Sequence, residues 1–154
     1  MKAPREHKTA FTLLEVMAVV LILALLAGVF IGVVRPMIDR ARLDTTRRIV
    51  EDVVPSALDK FNIDLGRYPS EDEGLESLVK KPATFENEDD EKKWGGPYLK
   101  KDPKDAWGRD LHYEPVEAGA EEGVTRPYKV WSDGPNKQSG DDDDIRSWSE
   151  EEQT

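Results

Sequence analysis

The chain divides by its hydrophobic pattern into an apolar first quarter and a polar remainder. Residues 11–34 read FTLLEVMAVVLILALLAGVFIGVV, and every residue of 16–34 is apolar or glycine. At about 1.5 Å per residue this run is roughly 28 Å long, which matches the hydrocarbon core of a bilayer. A cleaved secretory signal would have a shorter apolar stretch and then a small-residue cleavage site. The pattern therefore predicts a transmembrane helix over residues 11–35.

The polar remainder begins with a second helical pattern over residues 37–63. Its apolar positions fall on one face, which indicates an amphipathic helix that packs on a core. Pro55 lies inside this pattern and is expected to kink or interrupt the helix near Val54. Ser70 and Glu73 have the spacing of a capping box, which predicts a short second helix that stops before Pro82.

The pattern changes again after Pro82. Residues 83–93 are highly charged and predict a solvated surface loop. Glycines and prolines then become frequent, and short strands are predicted at 110–114 and 127–132 in a small antiparallel sheet. The fold class is therefore α+β: a long N-terminal helix, transmembrane in its first half, packed on a small antiparallel sheet. Residues 149–154 form a polar tail.

The composition removes several classes of function. The chain has no cysteine and two histidines, His7 and His112, so it can form no disulfide, thiolate metal site or multi-histidine site. An isolated histidine in a predicted strand is a poor catalytic candidate, and we do not expect an enzyme. The net charge is −10, and the few excess positive charges lie in residues 1–10. A body this acidic disfavours nucleic-acid binding.

Glu15 is an ionisable residue within the first turns of the predicted transmembrane helix. Such a residue is costly in an apolar segment unless it finds a partner or reaches the headgroups. One interpretation is a carboxylate at headgroup level, outside the hydrocarbon. The other is an ion pair with a new terminal amine, created by cleavage before Phe11, on a neighbouring subunit shifted by about one helical turn.

Residues 132–145, SDGPNKQSGDDDDI, contain four successive aspartates. Like charges this close are unfavourable unless they are solvated or surround a cation. A disordered acidic stretch is one interpretation. The other is a site for a hard cation, with calcium favoured over magnesium because the loop offers several oxygen ligands in a flexible arrangement. The EF-hand spacing is absent.

Four segments in order resemble one known family. The run FTLLEVMAVVLILALLAG after a short basic leader resembles the start of type IV pilin-like proteins. The segments GRYPSEDEGLESLVKKP, GGPYLKKDPKDAWGRDL and SDGPNKQSGDDDDI are similar to the major pseudopilins of type II secretion systems. The resemblance covers most of residues 8–148 and implies a pilin-like fold.

The resemblance implies a processing site and an assembly residue. A prepilin peptidase would cut between Ala10 and Phe11 and methylate the new amine, and Glu15 would guide subunit addition. Residues 1–10 would then be a cytoplasmic leader, 11–35 the transmembrane and filament-core helix, and 36–148 a periplasmic domain. Ala10 stands where the family favours glycine.

The resemblance also implies that the loop 132–145 binds Ca²⁺. By position, the ligands would be the side chains of Asn136, Asp143 and Asp144 and the backbone carbonyl of Asp133. The family usually has aspartate where Asn136 stands, so we expect a weaker site.

The implied function is that of a structural subunit. It would polymerise with copies of itself into a periplasmic pseudopilus that helps move folded proteins across the outer membrane. Its other partners would be minor pseudopilins and the inner-membrane secretion platform, and the protein would cross the inner membrane once. Alternatives are a type IV pilin or another pseudopilin, or a membrane-tethered calcium-binding adhesin or sensor.

Overall fold

The structure is a computed structural model that describes residues 12–83, 85, 89–116 and 125–148. Ala10 and Phe11, the predicted processing site, lie outside the described residues. The polypeptide is helical from Leu13 to Leu65, over 53 residues. Two compact units are present, residues 1–40 and 41–154. The helical segments are α1 (Leu13–Val29), a π-helical turn (Phe30–Val34), α2 (Arg35–Arg48), a second π-helical turn (Ile49–Val53) and α3 (Val54–Leu65).

The first unit contains the predicted transmembrane helix. Thr12 caps α1 with its side-chain oxygen, which accepts a hydrogen bond of 3.2 Å from the backbone N–H of Glu15. None of the apolar side chains of α1 is buried, and Leu13 and Leu14 are each nearly 80% exposed. A helix that is apolar on every side and uncovered fits a transmembrane segment.

In the second unit the helix continues past Pro55. Proline has no backbone N–H and its ring crowds the preceding turn, so an unbroken α-helical bonding pattern cannot pass through it. The turn before it, Ile49–Val53, is π-helical, and α3 begins at Val54 with the proline in its first turn. Pro55 therefore does not end the helix; the π-helical turn gives way to α3 at Val54, where a kink or interruption was predicted. Gly66 closes α3 in a left-handed conformation with φ of 76°.

The capping box is confirmed, but the element after it differs from the prediction. The backbone N–H of Ser70 donates to Glu73 Oε2 at 2.9 Å, and the N–H of Glu73 donates to Ser70 Oγ at 3.3 Å. Gly74 then adopts φ of 52°, outside the helical region. Because this residue breaks the helical path, only a short 3₁₀ helix follows, Leu75–Leu78.

The sheet has three antiparallel strands in the order β1-β2-β3, namely β1 (His112–Pro115), β2 (Tyr128–Ser132) and β3 (Ile145–Arg146). The two predicted strands are confirmed. The third has only two residues, in register with Trp131 and Ser132, and is too short to leave a pattern in the sequence. Residues of β2 alternate between the core and the outer face, with Tyr128, Val130 and Ser132 buried.

The prediction of a surface loop over residues 83–93 is in part wrong. A one-turn helix, α4 (Asp90–Lys93), lies within it, and Asp90 is only 3% exposed. Its carboxylate accepts a hydrogen bond of 2.8 Å from Arg67 Nε. A buried charge needs such a partner, and the partner lies 23 residues earlier in the sequence.

The core of the second unit lies between the helix and the sheet. It joins the apolar stripe of the helix to the inward side chains of the strands and the 3₁₀ helix. Its fully buried apolar members include Val50, Val54, Leu58, Phe61, Leu78 and Val130.

Candidate functional site

Glu15 lies in the first turn of α1 and is exposed. Within the part of the chain that the structure describes, its carboxylate has no ion-pair partner. A carboxylate at the positive end of a helix gains from the helix dipole, but this is a small compensation in an apolar environment. The geometry is therefore that of a carboxylate that could accept a cation from another molecule.

The acidic loop 132–145 connects β2 to β3 and is fixed at both ends. Ser132 and Ile145 are buried and pair across the strands. Inside the loop, Gly134 has φ of 59°, and a Cβ atom there would overlap the carbonyl of Asp143. Only glycine fits this conformation and this close approach. The two arms of the loop are thus in direct backbone contact, which argues against a disordered stretch.

Asn136 brings the two arms of the loop together through its side chain. Its amide nitrogen donates to Asp143 Oδ1 at 2.5 Å and to Asp141 Oδ2 at 2.6 Å, and its backbone N–H donates to Asp143 Oδ2 at 3.1 Å. Its amide oxygen accepts from the N–H of Gln138. To ligate a cation beside Asp143, Asn136 must turn its side-chain amide so that the oxygen takes the place of the nitrogen. The assignment of these two atoms follows from the hydrogen bonds around them.

The carboxylates of Asp141 and Asp143 are close enough to interact. A hydrogen bond between them lowers the pKa of Asp141, and the same contact raises the pKa of Asp143. One carboxyl therefore holds a proton more readily than usual while the other stays ionised, as expected for two acids that share a site. A cation at this point would remove the need for that proton.

The side chain of Asp144 is buried, with 2% of its surface exposed. Its Oδ2 accepts a hydrogen bond of 2.7 Å from the N–H of Gly140 and lies 3.4 Å from Arg146 Nη2. Its Oδ1 is buried and has no hydrogen-bond partner among the described residues, and the same holds for Oδ1 of Asp141. Buried carboxylate oxygens without donors are costly, and a bound cation would satisfy them.

The side chain of Asp133 turns toward the sheet. His112 Nε2 lies 2.9 Å from Asp133 Oδ1. The imidazole also stacks on Trp131, with ring centroids 4.9 Å apart. A ligand role for Asp133 would thus come from its backbone carbonyl, as predicted.

These residues fit a hard cation through mixed ligands. Within residues 12–83, 85, 89–116 and 125–148, no three histidine, aspartate or glutamate side chains converge closely enough to hold a metal ion. A site must therefore combine carboxylates with amide and carbonyl oxygens, which is the chemistry that Ca²⁺ accepts. Asn136, Asp143 and Asp144 lie in one small loop, as the sequence predicts.

Two residues outside the loop contact its framework and were not predicted. Asp105 is buried and accepts a hydrogen bond of 3.0 Å from Ser132 Oγ. Arg109 pairs with Asp105 and donates to the carbonyl of Gly134. These contacts could not be predicted, because the two residues lie in a segment of mixed charges with no periodicity.

Comparisons with known proteins agree with the fold and show the family. The family described as "Type II secretion system (T2SS), protein G" matches residues 34–148. The chain is 35% identical over 144 residues to the type II secretion system core protein G of Pseudomonas aeruginosa, covering 94% of this chain and 97% of that protein. It is 36% identical over 150 residues to the core protein G of Vibrio cholerae, covering 96% of each.

A solved structure gives the same result. The crystal structure of the major pseudopilin from the type 2 secretion system of enterohaemorrhagic Escherichia coli matches with a TM-score of 0.54 and 27% identity, covering 71% of this chain and 85% of that one. The long helix, the small antiparallel sheet and the loop between its last two strands define a pilin-like structural subunit. The chain belongs to the type II secretion system protein G family, the major pseudopilins. These matches do not favour a type IV pilin or a tethered adhesin or sensor.

Proposed function

We propose that this chain polymerises through its N-terminal helices into the periplasmic pseudopilus of a type II secretion system, and so helps move folded proteins across the outer membrane. The observation that carries the proposal is the uncovered apolar helix α1, joined to a folded unit of the protein G family. Apolar surface of this extent must be covered by lipid or by other helices. A pseudopilin passes from the first environment to the second.

Before assembly, the protein would cross the inner membrane once through residues 11–35, with its folded unit in the periplasm. A prepilin peptidase would remove residues 1–10, and minor pseudopilins and the inner-membrane platform would act in assembly. The chain itself would catalyse no reaction. Mass spectrometry of membrane-extracted protein tests the processing. We expect a chain that begins at an N-methylated Phe11, whereas a chain that begins at Met1 would contradict it.

In assembly, Glu15 would pair with the terminal amine of Phe11 on a neighbouring subunit. The support is the absence of any described partner for this carboxylate and its position one helical turn from Phe11. In an apolar filament core, an ion pair is strong and a lone charge is costly. The Glu15 carboxylate would therefore stabilise the assembled state, where it is paired, and destabilise misaligned helices, where it is not.

The loop 132–145 would bind Ca²⁺ through the side chains of Asn136, Asp143 and Asp144 and the carbonyl of Asp133. The support is that Oδ1 of Asp144, and Oδ1 of Asp141 in the same run of aspartates, are buried and have no hydrogen-bond partner among the described residues. The ion would link the two arms of the loop and stabilise a domain that has no disulfide.

The experiment that tests the function uses a strain in which the native major pseudopilin gene is deleted. In this strain, expression of the chain together with the secretion apparatus to which it belongs should restore export. Overproduction of the chain should yield short fibres that antibodies against the chain decorate. Export restored without any fibres, or fibres without this chain in them, would contradict the proposal.

A further inference from the structure

A network of buried and half-buried polar contacts joins the acidic loop to helix α2. It involves the segment 104–110, which precedes β1. This segment contains neither a predicted assembly residue nor a proposed calcium ligand. The contacts come from Asp105, Ala106 and Arg109, and they reach Thr46 on one side and Gly134 on the other.

Asp105 is the centre of this network. Its side chain is 1% exposed. Oδ1 accepts from the N–H groups of Trp107 at 2.9 Å and Arg109 at 2.8 Å, while Oδ2 lies 3.0 Å from Ser132 Oγ and 2.7 Å from Arg109 Nη2. A buried carboxylate with this many donors fixes the segment around it. The segment and the end of β2 are therefore held as one piece.

Arg109 carries the network into the loop. The same nitrogen, Nη2, that pairs with Asp105 also donates to the carbonyl of Gly134. Gly134 follows the proposed carbonyl ligand Asp133 and touches the backbone of Asp143. A change in the position of the loop would therefore displace the guanidinium of Arg109, which pairs with Asp105.

On the other side, the network ends at the helix. The N–H of Ala106, next to Asp105, donates to Thr46 Oγ1 at 3.0 Å, and Thr46 is fully buried in α2. Thr46 is a polar residue among apolar neighbours of the core, and Ala106 supplies a donor to its oxygen. The contacts thus form a continuous path from Asp143 through Gly134, Arg109, Asp105 and Ala106 to Thr46.

We propose that Arg109 and Asp105 are positioning residues that couple the cation state of the loop 132–145 to the segment 104–110 and to Thr46 of α2. The proposal rests on the calcium site described under the proposed function. With Ca²⁺ bound, the contact between the two arms of the loop would be more rigid, the carbonyl of Gly134 would be held more firmly, and the Arg109–Asp105 pair would transmit this order to the amide of Ala106. Partners behind the ligands of a metal commonly change its affinity about ten- to hundredfold.

Hydrogen exchange of the full chain in detergent, with Ca²⁺ or with a chelator, tests this inference. In the natural sequence, Ca²⁺ should slow exchange in peptides from 132–145 and also in peptides from 104–110. In Arg109→Met, the slowing at 104–110 should be lost, and the affinity for Ca²⁺ should fall by about ten- to hundredfold. Lys104→Met is the matched control, because Lys104 in the same segment forms its ion pair with the exposed Asp110, and this variant should behave like the natural chain.

The outcomes are distinguishable. Slowing confined to 132–145 in the natural chain, or unchanged slowing at 104–110 in Arg109→Met, would overturn the coupling and leave the calcium site intact. No slowing anywhere would overturn both. If the methionine variant does not fold, Arg109→Gln replaces it, since glutamine keeps a polar side chain but has no charge to pair with Asp105 and a shorter reach toward Gly134; it should lose the same slowing at 104–110.

Discussion

Arg67 and Glu73 form a two-pronged ion pair, with Nη1 2.6 Å from Oε2 and Nη2 2.8 Å from Oε1. The Glu73 side chain is 5% exposed and also accepts the capping hydrogen bond from Ser70. Arg67 reaches on to Asp90. The pair therefore links the end of α3, the capping box and α4.

Replacing Glu73 with glutamine should remove an acid-dependent part of the stability. Burial raises the pKa of Glu73, but the hydrogen bonds and charge of Arg67 and the bonds from Ser70 outweigh it and hold the pKa below its usual value. The stabilisation is therefore complete above about pH 4.5, the ordinary range of a glutamate, and is lost as the pH falls through the lowered pKa. Denaturant unfolding over a pH series should show a flatter acid limb in Glu73→Gln.

At neutral pH the same substitution should cost about 3 kcal/mol of unfolding free energy, since it leaves Arg67 without its main partner. Glu76→Gln is the matched control. Glu76 pairs with Lys80 one turn away on an exposed surface, and its loss should cost no more than about 0.5 kcal/mol. Equal effects of the two substitutions would show that the Arg67 pair has no special role.

Phe61→Ala should be among the most destabilising single changes in the second unit. Phe61 is fully buried in α3 and contacts Tyr98 edge to face, with ring centroids 5.7 Å apart. Truncating a buried phenylalanine costs about 3–5 kcal/mol. Ile63 on the same helix is 80% exposed, so Ile63→Ala should change the unfolding free energy by less than about 0.5 kcal/mol. Thermal unfolding followed by near-ultraviolet circular dichroism measures both, and a comparable loss in the two variants would contradict the described core.

The fold could be predicted from the sequence where a local pattern reports it. The apolar run fixed the position of α1, the capping box at Ser70 and Glu73 formed as expected, and both longer strands were found. The charged pattern of residues 83–93 could not show that Asp90 is buried, because its partner Arg67 is brought near only by tertiary folding. β3 left no periodic signal because it has only two residues. The Arg109–Asp105 pair left none because its segment has mixed charges without periodicity.

The candidate loop could be placed from its composition, but its internal geometry could not. The four successive aspartates predicted either a disordered acidic stretch or a cation site within residues 132–145. Only the structure shows that Gly134 approaches Asp143 and that the amide nitrogen of Asn136 faces two carboxylates. The identity of the ligands remains a prediction from the family resemblance.

Calcium should raise the melting temperature of the folded unit, and Asp144→Ala should abolish the increase. A ligand at a hundredfold excess over its Kd adds about 2.7 kcal/mol to the unfolding free energy. Asp142→Ala is the matched control, because Asp142 belongs to the same run of aspartates but is exposed and is not a proposed ligand. Its melting temperature should still rise with Ca²⁺. Identical melting with Ca²⁺ and with a chelator in the natural chain would remove the metal from the account.

The central claim is that the subunits polymerise through their N-terminal helices and that Glu15 guides this assembly. Since the sequence contains no cysteine, a double variant with Val16→Cys and Leu21→Cys has only two thiols, about one helical turn apart on different faces of α1. Oxidative cross-linking in membranes that contain the secretion apparatus then reports on neighbouring helices.

With Glu15 intact, the double-cysteine chain should give a ladder of dimers, trimers and longer products. The ladder should collapse to monomers when Glu15→Ala is added, and it should persist when Glu114→Ala, an exposed acid on β1, is added instead. Monomers alone with Glu15 present, or an undiminished ladder without it, would contradict the account.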